Sequence, residues 1–180
     1  MTTSGLRLTS PTGELAEQFL TWRHRPDVTR WFLQQRIEDA EEYVAEWAAY
    51  DGRDHHRVVA VLDGAMVGQA ALGVVDGMGQ SGNGAELTGR EGRLSYFVHL
   101  DHAGRGIATA LARDALANAF ARLGLRRVQA GCFADNVASW RVMEKLGMRR
   151  EQHGVKDSFH AELGWIDGYT YALLAEEWKG

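Results

Sequence analysis

The chain has 180 residues, 45% of them hydrophobic and 24% charged, with a formal net charge of −4, which suits one domain of ordinary size with a real core. The negative balance gives no general attraction to nucleic acid or anionic lipid, and no run of about 18 apolar residues marks a membrane span. The single cysteine, Cys132, excludes an internal disulfide, and the first ten residues hold no apolar run of signal-peptide length, so the expectation is a cytoplasmic protein.

Residues 6–9 alternate as a short strand, ended by Pro11-Thr12-Gly13. From Glu14 to Pro26, Leu15, Phe19, Leu20 and Trp22 recur at helical spacing. Residues 28–33 form a second short amphipathic piece, with Asp27 as its N-cap. Residues 37–50 open on Glu38, Asp39, Glu41 and Glu42, which favour a helix start, and carry Tyr43, Val44, Trp47 and Tyr50 on one side. His55-His56 reads as an exposed turn. The period then changes to two. Residues 58–62 and 66–72 flank Asp63-Gly64, the signature of a tight hairpin. Residues 77–92 hold six glycines without apolar periodicity and read as a mobile loop. A strand over 94–99 follows, then a long helix through Ile107, Leu111, Ala115, Leu116, Ala119, Phe120 and Leu123, closed by Gly124. A strand over 128–133, a helix over 136–146 closed by Gly147, and strands over about 149–156 and 165–174 complete the chain. No repeat or linker divides it, so residues 1–180 read as one α/β domain around a mixed sheet.

The stretch from 94 to 147 carries the chemistry. A strand feeds a loop with glycines at 104 and 106, and that loop opens a helix. Such a turn aims free backbone N–H groups at one point, the helix dipole adds partial positive charge, and the missing Cβ atoms let an anion approach. Arg105 adds charge, so a phosphate site is the natural use. A Walker-type loop is excluded because no Gly-Lys-Ser/Thr triplet occurs. A dinucleotide fingerprint is excluded because Thr109 stands where its third glycine belongs.

The run Tyr96-Phe97-Val98-His99-Leu100-Asp101-His102-Ala103-Gly104-Arg105-Gly106-Ile107-Ala108 resembles the fourth strand and acetyl-CoA loop of the GNAT superfamily of N-acetyltransferases. Downstream, Asn136-Val137-Ala138-Ser139 and Glu144-Lys145-Leu146-Gly147-Met148 resemble that superfamily's next helix. Trp22-Arg23-His24-Arg25-Pro26-Asp27-Val28 and the terminal Tyr171 to Trp178 resemble the branch of ribosomal-protein N-terminal acetyltransferases. The resemblance implies a mixed, mostly antiparallel central sheet with splayed fourth and fifth strands, flanked by helices. Pantetheine would lie in the splay along Phe97 and Val98. Ala103, Gly104, Arg105, Gly106, Ile107 and Ala108 would hold the pyrophosphate, with Asn136 and Ser139 also near the cofactor. Acetyl-CoA would be the acyl donor, with no metal, and a small-molecule or peptide amine the acceptor, lying against Trp22, Arg30 and Trp31. A homodimer is left open, as is another short acyl-CoA donor.

Three positions depart from the family pattern: Ala103 in place of Gln or Arg, Arg93 in place of a glutamate base, and Met143 in place of a tyrosine acid. Ser139 is then the candidate proton donor to sulfur, or else only a ligand of pantetheine. Asp157 is the candidate base, or else a solvated carboxylate, with Glu162, His153 and His160 behind it. A free α-amine, with a pKa of roughly 7.7–8.0, demands less of a base than a lysine amine near 10.4. His99 and His102 lack the partners of a metal site. The reading from another class is an acyl-CoA-binding sensor or partner-dependent subunit without catalysis.

Overall fold

The computed structural model describes residues 5–33, 37–53, 55–80, 82 and 84–180. Strand β1 (Leu6–Thr9) leads into helices α1 (Gly13–Arg23), α2 (Pro26–Thr29) and α3 (Ala40–Ala48). The hairpin β2 (His55–Leu62) and β3 (Ala65–Val75) follows, then the single turn α4 (Gly84–Leu87) and β4 (Glu91–Val98). Helix α5 (Ile107–Ala121), β5 (Arg127–Phe133), α6 (Val137–Lys145), β6 (Arg149–His160) and β7 (Gly164–Leu174) complete the order. The strands form one sheet, β1-β2-β3-β4-β5-β7-β6, in which only β4 and β5 pair in parallel.

Local chemistry sets the boundaries. Thr12 Oγ1 accepts from the Leu15 N–H to start α1, and Asp39 Oδ1 accepts from the Glu42 N–H at 2.8 Å to start α3. Asp63 and Gly64 take the two positive φ angles, 50° and 84°, that the tight hairpin turn demands. Asp27 does not cap a helix over 28–33. Pro26 fixes the start two residues earlier, Arg25 is the cap residue, and the Asp27 carboxylate instead pairs with Arg25 at 2.6 Å. Residues 34–36 lie outside the described residues. The glycine-rich segment also ends sooner than its composition suggests, because Gly84–Leu87 closes a helical turn and Glu91 and Gly92 already belong to β4. Gly92 packs inside the core: a β-carbon there would come 2.9 Å from both Leu72 and Leu125.

The sheet has a helix layer on each side. Ile107, Leu111, Ala112, Ala115, Leu116 and Ala119 of α5 cover Val58, Ala60, Leu72, Leu94 and Val128 on one face. Phe19 of α1 and Trp47 of α3 cover Val59, Val61 and Met66 on the other. Each fully buried Leu or Phe contributes about 1.5–3 kcal/mol. Strand alternation therefore gives Leu94, Tyr96 and Val98 to the α5 face, and Arg93, Ser95 and Phe97 to the opposite face.

Strands β4 and β5 pair only at Glu91–Arg127, Gly92–Val128 and Arg93–Gln129, and then diverge. The paired end is laced by alternating charges. Arg126 and Arg127 both meet Glu91, Arg127 also meets Glu151, and Arg149 meets Glu151 and Glu177. Among the described residues, no helix is long and apolar enough to cross a membrane.

Candidate functional site: a glycine-turned helix start beside diverging strands

Between β4 and α5 the chain makes a short 3-10 turn (Leu100–His102) and then the loop 103–106. Gly104 and Gly106 adopt φ of +75° and +80°, and Gly106 is the N-cap of α5. Left-handed residues here cost glycine little, whereas a side chain would pay about 1–2 kcal/mol. Space beside both glycines is open: a β-carbon on either would meet nothing within 4 Å. The N–H groups of Gly104, Arg105, Gly106, Ile107 and Ala108 meet no acceptor among the described residues, and Arg105 leans back on the Asp101 carbonyl at 3.2 Å. Several donors and the positive end of a helix dipole thus lie together at an exposed loop, an arrangement that can take a phosphate. Ala103 contributes its backbone there, and its own N–H is used by Leu100 O.

The loop follows the end of β4 that has parted from β5. The His99 N–H donates to Val67 O, so by alternation Phe97 turns its backbone toward β3, and a β-carbon on Gly68 would come 2.7 Å from Phe97 O. Tyr96 and Val98 turn theirs into the gap, leaving an edge that an extended chain can pair with. The Phe97 ring lies on the far face, stacked on Phe19 at 4.7 Å. Across the gap stands the first turn of α6, where Asn136 Oδ1 caps the helix by accepting from the Ser139 N–H at 3.2 Å. Tyr96 reaches over from β4: its hydroxyl donates to the Ser139 carbonyl at 2.8 Å and lies 3.2 Å from Ser139 Oγ. Burial pushes the Tyr96 phenol well above its ordinary value, with the Ser139 hydrogen bond opposing, so it stays protonated. Burial likewise raises the half-buried Cys132 thiol on β5, so it is no ready nucleophile. Met143, at the position of the family's tyrosine, is packed in the core. Tyr96 is the residue bridging the gap to which the motif reading gave no role; its place on the strand was the available signal.

Asp157 lies on the opposite bank, on the face that carries Phe133. Strand β6 bulges between Gly154 and Ser158, and Lys156 takes φ +47°. The bulge is pinned by Asp167, which accepts the Lys156 N–H at 2.9 Å and meets His153 Nε2 at 2.6 Å. That histidine contact and then the backbone bond hold the Asp167 carboxyl below its usual range. The exposed Asp157 carboxylate rests over paired Gly154 and Gly168, in space that a β-carbon on either would fill, and accepts from Ser158 Oγ at 2.8 Å. The other sequence candidates for base are engaged. His160 is buried, with Nε2–H donating to Arg30 O at 2.8 Å and Nδ1 accepting from the Glu162 and Leu163 N–H groups. Glu162 pairs with Arg30 at 3.5 Å.

Trp31 packs on His160 at 5.1 Å and Phe133 at 6.1 Å, so the segment after α2 is tied to the β6–β7 hairpin. Trp22 sits further along, edge-on to Phe97 at 5.7 Å and His99 at 4.9 Å. Arg30, Trp31, Phe133 and Asp157 therefore share one region, while Trp22 belongs to the aromatic cluster above β4. His56 is no exposed turn: it lies in β2 and meets Asp114 of α5 at 2.8 Å. Among the described residues, no group of three or more His, Cys, Asp or Glu could hold a metal ion.

Comparison with known proteins places this arrangement. Residues 5–149 match the family described as Acetyltransferase (GNAT) domain. The chain is 32% identical over 141 residues to "Probable N-acetyltransferase YjcK" of Bacillus subtilis, covering 78% of this chain and 66% of that one. It is 30% identical over 127 residues to "Putative ribosomal N-acetyltransferase YdaF" of the same organism, covering 71% of this chain and 68% of that one. The matches span from half to about two thirds of the length of the curated relatives. The fold is shared with spermidine N-acetyltransferase from Vibrio cholerae, solved in complex with CoA and spermine, at a TM-score of 0.76 and 16% identity over 97% of this chain and 98% of that one. Ribosomal-protein-S5-alanine acetyltransferase from Vibrio fischeri aligns at a TM-score of 0.74 and 16% identity over 98% and 97%. The family match takes in the diverging strands, the glycine loop and both helices that frame the gap, and the chain belongs to the GNAT acetyltransferase family.

Proposed function

We propose that this protein transfers an acetyl group from acetyl-CoA directly to an amine, in the cytoplasm, and that the acceptor is a protein N-terminal α-amine or an amino-acid-like small molecule. The observation that carries the reading is the convergence of free N–H groups at Gly104 to Ala108 on the mouth of the β4–β5 gap. The loop grips the pyrophosphate, and the free edge at Tyr96 and Val98 aligns pantetheine, which sets the thioester in the gap. The acceptor nitrogen arrives from the face of Phe133 and attacks the thioester carbonyl carbon. An N–C bond forms and the C–S bond breaks. Asp157, directly or through water, takes the proton lost by nitrogen, and Ser139 Oγ–H, held in place by Tyr96, supplies the proton gained by sulfur. The products are an N-acetyl amine and CoA, with no acyl-enzyme.

The relative named for ribosomal acetylation supports an α-amine acceptor, and so does the modest base. Trp31 and Arg30 bound the acceptor side, with Trp22 behind Phe97. The test pairs two measurements on the purified chain: the thermal midpoint with and without acetyl-CoA, and thiol release with a panel of peptides and amines. Acetyl-CoA at a hundredfold excess over Kd stabilises the native state by about 2.7 kcal/mol, and release rises toward pH 8 as α-amines deprotonate. Stabilisation without thiol release for any amine would favour the sensor reading instead.

A further inference from the structure

Arg93 occupies the strand position where the acceptor face begins to open. It is the last residue of β4 paired with β5, and the strands diverge from the next residue, about 3.4 Å further on. Its side chain is exposed on the face of Phe97 and Asp157 and makes no ion pair or hydrogen bond among the described residues. Its neighbours keep the ground around it low. Gly73 stands opposite it on β3, with open space where a β-carbon would be, Ser95 follows two residues along β4, and exposed Gly131 lies beyond Gln129 on β5.

Several other charges on this side are already answered, while Asp157 accepts only from the Ser158 hydroxyl among the described residues. Glu91, on the same face, is held by Arg126 and Arg127, and Arg127 also meets Glu151. Arg30 meets Glu162, Arg25 meets Asp27, and Arg57 donates to Gln69 at 3.2 Å while lying over the Trp47 ring. Arg93 is left as an exposed guanidinium without an ion pair among the described residues, four residues along β4 from Phe97. A guanidinium on the acceptor face repels a cationic acceptor, and it favours one whose carboxylate it can hold bidentately.

We infer that Arg93 is the carboxylate anchor of the acceptor site, so that the preferred acceptor is an amine bearing a carboxylate. This rests on the acetyltransferase reading and adds the substrate's charge to it. The anchor works from the paired end of β4 and β5, leaving the amine at the gap and Asp157 on the far bank.

The experiment compares the parent chain with Arg93→Gln and Arg93→Glu, using initial thiol release at saturating acetyl-CoA. Acceptors are peptides beginning with Asp against Asn, and Glu against Gln, with 4-aminobutyrate and spermidine beside them. A second readout is the thermal shift that each acceptor adds to the CoA-bound protein, which registers binding even where turnover is slow. The parent should prefer each acidic peptide to its amide. Arg93→Gln should cut kcat/KM for the acidic member by about ten- to a hundredfold, with the amide member and the KM for acetyl-CoA unchanged. Arg93→Glu should invert the order in favour of spermidine. A parent that uses amides or spermidine as well as acids overturns the anchor while leaving transfer intact, and so does an Arg93→Gln loss shared equally by both members of a pair. A parent that neither binds acetyl-CoA nor releases thiol overturns the transfer reading, and the anchor with it.

Discussion

A β-carbon on Gly154 would fall on the carboxylate of Asp157, and one on Gly168 would come 2.6 Å from it. The two glycines, paired across β6 and β7, thus leave a seat that fixes where this acid sits without touching it chemically. Gly154→Ala is accordingly a mutation of Asp157's position rather than of its charge. It should lower kcat by an amount approaching that of Asp157→Asn, with the KM for acetyl-CoA unchanged, since the cofactor loop lies on α5. Steady-state rates of the two variants check this. Full activity in Gly154→Ala together with loss in Asp157→Asn would mean that the carboxylate acts from another position. Asp167 has a different role: its contacts with His153 and the Lys156 N–H hold the bulge that carries Asp157. Because its pKa is depressed, its contribution is present above the ordinary carboxylate range and fades only as pH falls through the lowered value.

Helix α5 joins two glycines of the same backbone class with different duties. Gly106 at its start and Gly124 beyond its end both take positive φ, +80° and +63°, and both have open space beside them. Strain alone predicts a similar cost of about 1 kcal/mol for a side chain at either place. Their ligand responses should differ. Gly106→Val should abolish the acetyl-CoA-induced rise in thermal midpoint, because its side chain enters the open space beside the loop where the free N–H groups lie together. Gly124→Ala should lower the midpoint and keep the full rise. Differential scanning fluorimetry with and without acetyl-CoA separates the two. A normal rise in Gly106→Val would move the cofactor site elsewhere.

Across the whole molecule, the order of elements and the glycine turn into α5 were legible because they rest on local signals: the Asp63-Gly64 turn, apolar spacing in α5, glycines at 104 and 106. The opposite bank was not, because it depends on contacts distant in sequence. The bulge at Lys156 is fixed by Asp167 on the next strand, and His160 is engaged by a backbone carbonyl 130 residues away. His56 looked like a turn residue because its partner Asp114 lies 58 residues on. Tyr96 had a legible strand position, but its reach to Ser139 depends on the splay that separates β4 from β5. Arg93 was visible as a departure from the family pattern, yet its lack of an ion pair emerged only once Arg30, Arg126 and Arg127 were seen with theirs.

The laced charges from Arg126 to Glu177 lie at the narrow end of the wedge between β4 and β5, opposite the proposed cofactor mouth. Fastening the apex by Coulomb attraction makes the aperture an ionic-strength-dependent quantity, since about 1 M salt shortens the screening length to about 3 Å. Salt also screens the phosphate grip at the mouth, so the two effects are confounded in the parent chain. Glu91 separates them, being the link that both Arg126 and Arg127 share. Glu91→Gln removes the pairs with Arg126 and Arg127 and leaves Arg127–Glu151, Arg149–Glu151 and Arg149–Glu177, so the thermal midpoint of the ligand-free protein should fall less with added salt than the parent's does. Equal salt slopes would mean that the wedge is held shut by packing around Gly92 alone.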